Sequence, residues 1–184
     1  MLDGAIDPKG IAKLAKERGF PAIAMTDRNG LYGAMAFSSA CMENGVQPIF
    51  GTMLGVCRGD DRTVDWLALY AQNEAGWNNL CHLVSKAHLD RPLERDPHVR
   101  MADLDGRTDG LIALTAAGEG ALARLLAEGR LDAAQALCER LEALFPARLY
   151  IEIARRNEAI EDAAEEALII PLKPPVSGSV TIVR

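Results

Sequence analysis

Apolar residues along the chain fall into two alternating patterns, helix-length stretches spaced three to four apart and short unbroken runs. Asp7-Pro8 opens the first stretch: the Asp side chain can accept orphan amide hydrogens, and Pro at the first helical position loses nothing by lacking one. Ile11, Leu14 and Ala15 follow at helical spacing, and Gly19 offers a left-handed stop. The run PAIAMT at 21–26, bounded by Pro and by the polar Asp27, Arg28, Asn29 and Gly30, has the length of a buried strand. The pattern then repeats, with a helix over 32–43 stopped by Gly45 and an apolar stretch over 46–57. Residues 66–71 predict another buried strand, and Asn73-Glu74 opens a helix carrying Trp77, Leu80, Cys81 and Val84 on one side. A turn-rich connection over 86–107 precedes a strand at 111–115. Two helices, 120–127 and 131–144, lead to a strand at 149–153, and a last helix is expected over 158–168.

Strands alternating with helices and short Gly or Pro punctuation predict an α/β fold, a mostly parallel sheet with helices outside it. Barrel and open sheet both satisfy the pattern, and no repeat of solenoid length is present. At 184 residues the chain is of single-domain size. Residues 170–184 change character: three prolines arrive close together, acids vanish and the amphipathic pattern stops. The expected division is a folded domain over 1–169 and an aberrant proline-rich tail over 170–184, the product of a shifted reading frame near residue 170.

The net charge of −6 comes with acids and bases interspersed and no long basic run, so direct nucleic-acid binding by this segment is not expected. Cys41, Cys57, Cys81 and Cys138 form no CxxC pair, which argues against a zinc ribbon or a small disulfide framework. No basic-then-apolar leader and no membrane-length apolar run is found, and the expected location is the cytoplasm.

In parallel α/β folds the C-terminal ends of the strands line the functional face. Here they carry Thr26 to Asn29, Gly51 to Met53, and Arg155-Arg156 after the 149–153 strand. Asp27 alone among them is a candidate metal ligand or acid/base group, although an Asp after a strand also serves as a turn or helix cap. His82, His88 and His98 lack zinc-ligand spacing. Gly118-Glu119-Gly120 lacks the rest of a phosphate-loop signature and reads as a turn and helix start.

The blocks LDGAIDP at 2–8, PAIAMTDRNGLYGA at 21–34 and GVQPIFG at 45–51 resemble the polymerase and histidinol phosphatase (PHP) domain family found in bacterial replicative polymerase III alpha subunits. LYAQNEAGWNNL at 69–80, LIALT at 111–115 and LYIEI at 149–153 continue the resemblance in the same order, over about residues 1–169. The resemblance implies a distorted TIM-like barrel, partial here, because the family's first strand with its His-x-His motif should precede Leu2. On that comparison the chain is a piece of the family domain cut at both ends.

Members with an intact site bind metal through His, Asp and Glu at the barrel mouth, and some hydrolyse phosphate esters. Carried over position by position, the resemblance implies loss. Arg28 stands where the family has a histidine, Met53 where it has a glutamate, Trp66 and Arg156 where it has two further histidines, and Asp27 persists. Guanidinium, thioether and indole groups cannot replace imidazole or carboxylate donors around a hard or borderline cation. The implied role is a non-catalytic scaffold within a DNA-directed polymerase subunit, with no cofactor of its own; Mg²⁺ belongs to the parent polymerase. The implied partners are the rest of that subunit and the proofreading exonuclease subunit. Two other readings stand beside it, a free-standing metal-dependent phosphoesterase and the corresponding domain of the error-prone polymerase subunit. Five strands are countable, which leaves sheet edges open to self-association unless residues 180–183 patch one.

Overall fold

Asp7 caps the first helix as its position predicts: its Oδ1 accepts from the Gly10 amide at 2.7 Å, ahead of α1 (Pro8–Glu17). The computed structural model describes residues 7–58 and 63–153, together with the backbone of 180–182. The helix expected over 158–168, Arg156 and most of the proline-rich tail lie outside the described residues. After α1 come β1 (Ala22–Arg28), α2 (Ala34–Asn44), β2 (Gln47–Cys57), β3 (Val64–Ala71), α3 (Glu74–Leu89) and β4 (Val99–Arg100). Then follow β5 (Leu111–Leu114), α4 (Ala121–Ala127), α5 (Leu131–Leu144), β6 (Leu149–Ile153) and β7 (Val180–Ile182). Gly45, at φ 70°, ends α2 in the left-handed conformation that a side chain would resist.

The strands form one mixed sheet in the order β1-β2-β3-β5-β6-β7, with β4 beside β2. The β1/β2, β2/β4, β5/β6 and β6/β7 pairs are parallel, so the sheet is mostly parallel and the α/β expectation holds. β3 departs from it, running antiparallel to both β2 and β5. The cause is chain length: only residues 58–63 separate β2 from β3, whereas a parallel return needs a crossover of about a dozen residues or more. The connection over 86–107 is also less irregular than its turn residues predict, since it ends α3 and contains β4 and a short 3₁₀ turn at Met101–Leu104. Beyond the five countable strands, β4 lies beside the end of β2 and β7 pairs with β6, covering that edge.

Two apolar clusters hold the layers. The larger packs Leu54, Leu67, Leu69, Leu111, Leu149 and Ile151 of the sheet against Leu80 and Leu83 of α3 and the inner faces of α4 and α5. The smaller joins α1 to α2 through Ala12, Ala15, Phe37, Ala40 and Cys41. Each fully buried Leu or Phe contributes about 1.5–3 kcal/mol over its exposed state. The buried face of α3 is Gly76, Leu80, Leu83 and Ala87; Trp77, Cys81 and Val84 are half-buried. Gly76 fixes that rotation, because a Cβ there would lie 2.0 Å from the Gly110 carbonyl oxygen, so helix and strand entrance touch backbone to backbone. Trp77 instead meets Phe50 edge-on at 5.4 Å.

One buried charge cluster ties three elements together. Asp65 of β3 is 4% exposed and accepts from Arg124 of α4 through both carboxylate oxygens, each at 2.9 Å, and from Arg58 Nε at 3.2 Å. Removing the carboxylate takes from the largely buried Arg124 its two paired bonds and leaves it the exposed Glu128 at 3.2 Å. We therefore expect Asp65→Ala to cost about 3–5 kcal/mol in urea unfolding, and Asp65→Ala with Arg124→Leu to recover a large part of it.

Burial in α5 pushes the Cys138 thiol up to about 11, with Glu142 and Glu139 adding to the effect. The folded chain keeps a proton that the unfolded chain releases above its ordinary value of 9.0. This contribution to stability is complete below that pH and is lost as the pH climbs toward 11. Urea midpoints should fall across that window, and Cys138→Ala should flatten the fall.

Candidate functional site

The C-terminal end of β1 carries the residues that the sequence marks, and β2 places the next one beside them: Arg28 and Met53 are register partners in the parallel β1/β2 pair. Trp66 lies one strand further, opposite Gly55 in the antiparallel β2/β3 pair. The Arg28 guanidinium carbon sits 4.8 Å from the centroid of the Trp66 ring, and its Nη2 donates to Glu119 Oε2 at 2.7 Å. Arg28, Met53 and Trp66 therefore meet at one mouth of the sheet, whereas Arg156 lies outside the described residues.

Glu119 reaches Arg28 because the chain after β5 turns tightly. Ala116 and Ala117 take positive φ, 59° and 44°, leading into a 3₁₀ turn at Ala117–Glu119. Gly120 then passes so close to the backbone that a Cβ would meet the Thr115 carbonyl oxygen at 1.8 Å, while its own backbone bridges to Trp66. The turn and helix start expected at Gly118–Gly120 is present, but it also delivers a carboxylate to the mouth. Glu119 was legible only as an acid in a glycine-rich turn beyond a strand end.

Asp27 turns the other way: its Oδ2 accepts from the Gly33 amide at 3.1 Å, at the entrance of α2. This is the turn-capping role that an Asp after a strand also serves. Thr52, fully buried, donates to the Asp27 carbonyl at 2.8 Å and accepts from the Gly30 amide at 3.3 Å, so the mouth's backbone is bonded from within. The histidines do not converge. His82 is exposed, His88 Nε2 donates to the Asn29 carbonyl at 2.7 Å, and His98 is buried with Nδ1 on the Asp96 carbonyl. Among the described residues no group of three or more His, Cys, Asp or Glu side chains is placed to hold a metal ion.

Asn29, a residue that the sequence marks only as polar, organises the mouth. It is 5% exposed, stands at φ 47°, and has each of its polar groups bonded. Its amide donates to the Met53 carbonyl at 2.9 Å; its Oδ1 accepts from Gly55 N and its Nδ2 donates to the Pro97 carbonyl, both at 2.7 Å. Asn29→Gly keeps the backbone conformation and loses both side-chain bonds, for an expected cost of about 2–4 kcal/mol. Asn29→Ala should cost about 1 kcal/mol more, for placing a Cβ in the left-handed region. Chemical unfolding of the two variants side by side separates the terms; equal stabilities would show that the left-handed backbone carries no cost.

The comparisons with known proteins follow the same outline. The DNA polymerase III subunit alpha of Caulobacter vibrioides is 37% identical over 175 residues, covering 92% of this chain and 15% of that protein. The Pseudomonas aeruginosa subunit is 29% identical over 88% of this chain and 14% of its own length. The error-prone DNA polymerase of Symbiobacterium thermophilum is 34% identical over 91% of this chain and 16% of its length. The chain thus spans about a seventh of these relatives. Among solved structures, a Bifidobacterium adolescentis protein described as a metal-dependent phosphoesterase aligns with TM-score 0.57 at 14% identity, over 90% of this chain and 78% of that one. An amidohydrolase from Chromobacterium violaceum aligns with TM-score 0.51 at 16% identity and the same coverage. At those identities the likeness is one of fold. The PHP domain family matches residues 1–156, and by that match, together with its homology to a segment of the polymerase III alpha subunits, the chain belongs to the PHP domain family.

Proposed function

We propose that this chain is a non-catalytic PHP domain that braces a DNA polymerase III alpha-type subunit, its metal-site positions having lost their ligands at Arg28, Met53, Trp66 and Arg156. The observation that carries the reading is the Arg28 guanidinium held between Glu119 and the Trp66 ring. A divalent cation does not fit this set. Arg28 brings a fixed positive charge, Met53 and Trp66 offer a thioether and an indole, the Glu119 carboxylate accepts from Arg28, and the Asp27 carboxylate accepts from the Gly33 amide. No reaction step is therefore routed through a metal here.

The parent on this reading is a DNA-directed DNA polymerase that takes Mg²⁺ at a site outside this segment, and it works in the cytoplasm. The segment's partners are the rest of that subunit and the proofreading exonuclease subunit, with no direct nucleic-acid binding by this segment. Among the described residues no helix is long and apolar enough to cross a membrane, which is consistent with such a parent.

Two measurements test the reading. With added Mn²⁺, the purified chain should release phosphate from simple phosphomonoesters only at the background rate and retain no stoichiometric Zn²⁺ or Mn²⁺ after dialysis. Metal-dependent release that disappears in Asp27→Ala would return the chain to the phosphoesterases. In the longer parent, Arg28→Ala should lower the melting midpoint by an amount equivalent to about 1–2 kcal/mol, the sum of a part-exposed ion pair and a cation–π contact. Primer extension per folded molecule should stay unchanged; a loss of extension without a loss of stability would contradict the bracing role.

A further inference from the structure

The turn that follows β5 places its left-handed steps on alanines. Ala116 (φ 59°, ψ 30°) and Ala117 (φ 44°) take positive φ in succession, although Gly118 and Gly120 stand beside them. An alanine in that region is disfavoured by about five- to thirtyfold against a right-handed one, because its Cβ crowds the following carbonyl oxygen. Gly120 gives no relief: at φ −86° it serves close approach, since a Cβ there would meet the Thr115 carbonyl oxygen at 1.8 Å. A backbone kept in so unfavourable a conformation has to be held by its surroundings.

Three attachments hold it, and they differ in kind. Upstream, Thr115 is buried and bonded twice to β6, its amide donating to Tyr150 O at 3.2 Å and its Oγ1 accepting from Glu152 N at 3.0 Å. Downstream, the Gly120 backbone bridges to Trp66, and its carbonyl accepts from the amide of Arg124, whose side chain lies on Asp65. Between these anchors Glu119 N and Gly120 N donate to the carbonyls of Ala116 and Ala117 at 3.0 and 3.2 Å, closing the turn on itself. Only the third attachment reaches the edge strand β1: the Glu119 carboxylate accepts from Arg28 Nη2 at 2.7 Å.

The sheet order makes that contact a long one. β3 and β2 lie between β5 and β1, so the two side chains together span two strands across the mouth, with Arg28 laid on the Trp66 ring at 4.8 Å. The anchors on β6 and β3 are backbone contacts and a buried hydroxyl, whereas the crossing depends on side chains 45% and 32% exposed. Such a pair is screened by salt. Strain and ion pair therefore oppose each other: the left-handed steps favour leaving this conformation, and the pair keeps the turn in it.

We propose that residues 115–120 form a strap across the mouth, held shut by the Arg28–Glu119 pair against the left-handed strain of Ala116 and Ala117 and released when that pair is broken. The strap is a property of the mouth, whether or not the domain braces a larger subunit. The test is residue-resolved amide hydrogen exchange of the 184-residue chain, at low salt and in about 0.5 M NaCl, where surface charges are strongly screened. Relative to intrinsic rates, Arg28→Ala and Glu119→Gln should each speed exchange at the Glu119 and Gly120 amides about threefold or more. The Ala113 amide, bonded to Arg148 O beside β6, reports any general loss of stability and should move less. Salt should speed the same two amides in the unaltered chain and do nothing further in either variant. Ala116→Gly in the Arg28→Ala background should slow exchange again, because glycine takes positive φ without the alanine's cost. Exchange that rises equally at Ala113, Glu119 and Gly120, amides indifferent to both substitutions, a salt response that survives in the variants, or no slowing by Ala116→Gly would each overturn the proposal.

Discussion

Asn29, through its backbone and its side chain together, stands where four segments of the chain come together. Through the Met53 carbonyl and the Gly55 amide it fastens the end of β1 to β2; through Pro97 it holds the 91–98 loop; and its carbonyl receives His88 from the last turn of α3. An amide is the only neutral side-chain head group that accepts at one atom and donates twice at the next, and Asn also tolerates the left-handed backbone required here. Asp in its place would lack the donor for Pro97 O, and Gln would set the same head group one methylene too far out. The mouth around Arg28 and the loop that ends at Pro97 are both tied to this one residue.

Magnitudes separate the charged contacts that hold the domain from those that only decorate it. Asp65 is bonded to two arginines in nearly complete burial, where loss of one partner strands a charge. Arg28 and Glu119 have side chains 45% and 32% exposed, so their pairing is screened by water and weak, and its worth lies in orientation. Lys13 with Glu17 along α1 is more exposed still and amounts to a solvated helix pair. The interior is thus fixed by apolar burial and the Asp65 cluster, and the mouth is shaped by hydrogen bonds of the backbone to Asn29 and Thr52.

Much of this architecture was legible in the residue pattern, for reasons that can be named. Asp7-Pro8, Gly45 and Asn73 act locally, through caps and stops whose chemistry needs no distant partner, and each sits where its sequence places it. The direction of β3 was not legible from apolar runs, because a buried strand has the same composition in either direction; the brevity of residues 58–63 was the available signal. The buried face of α3 was missed because Gly76 contributes no hydrophobicity to a pattern, though its contact with Gly110 sets the helix rotation. At the site, strand-end logic reached Asp27, Arg28, Asn29 and Met53, whereas Trp66 was marked only through the family resemblance. The roles of Asn29 and Glu119 escaped it because they depend on partners 26 and 91 residues away.

The chemistry of the mouth also constrains what could have replaced a lost metal on the scaffold reading. A site built to surround a divalent cation concentrates acceptors, and removing the cation alone would leave a carboxylate such as that of Glu119 without a countercharge. A neutral residue at position 28 would leave that carboxylate uncompensated, whereas Arg supplies the positive charge from within the chain. Its planar head can accept the Trp66 face on one side while donating in plane to Glu119, a pair of contacts that a spherical ion cannot make together. Asp27 is relieved separately, by the Gly33 amide at the start of α2. On the scaffold reading the arginine would supply structurally the positive charge that a cation supplies, without the open coordination positions that catalysis needs.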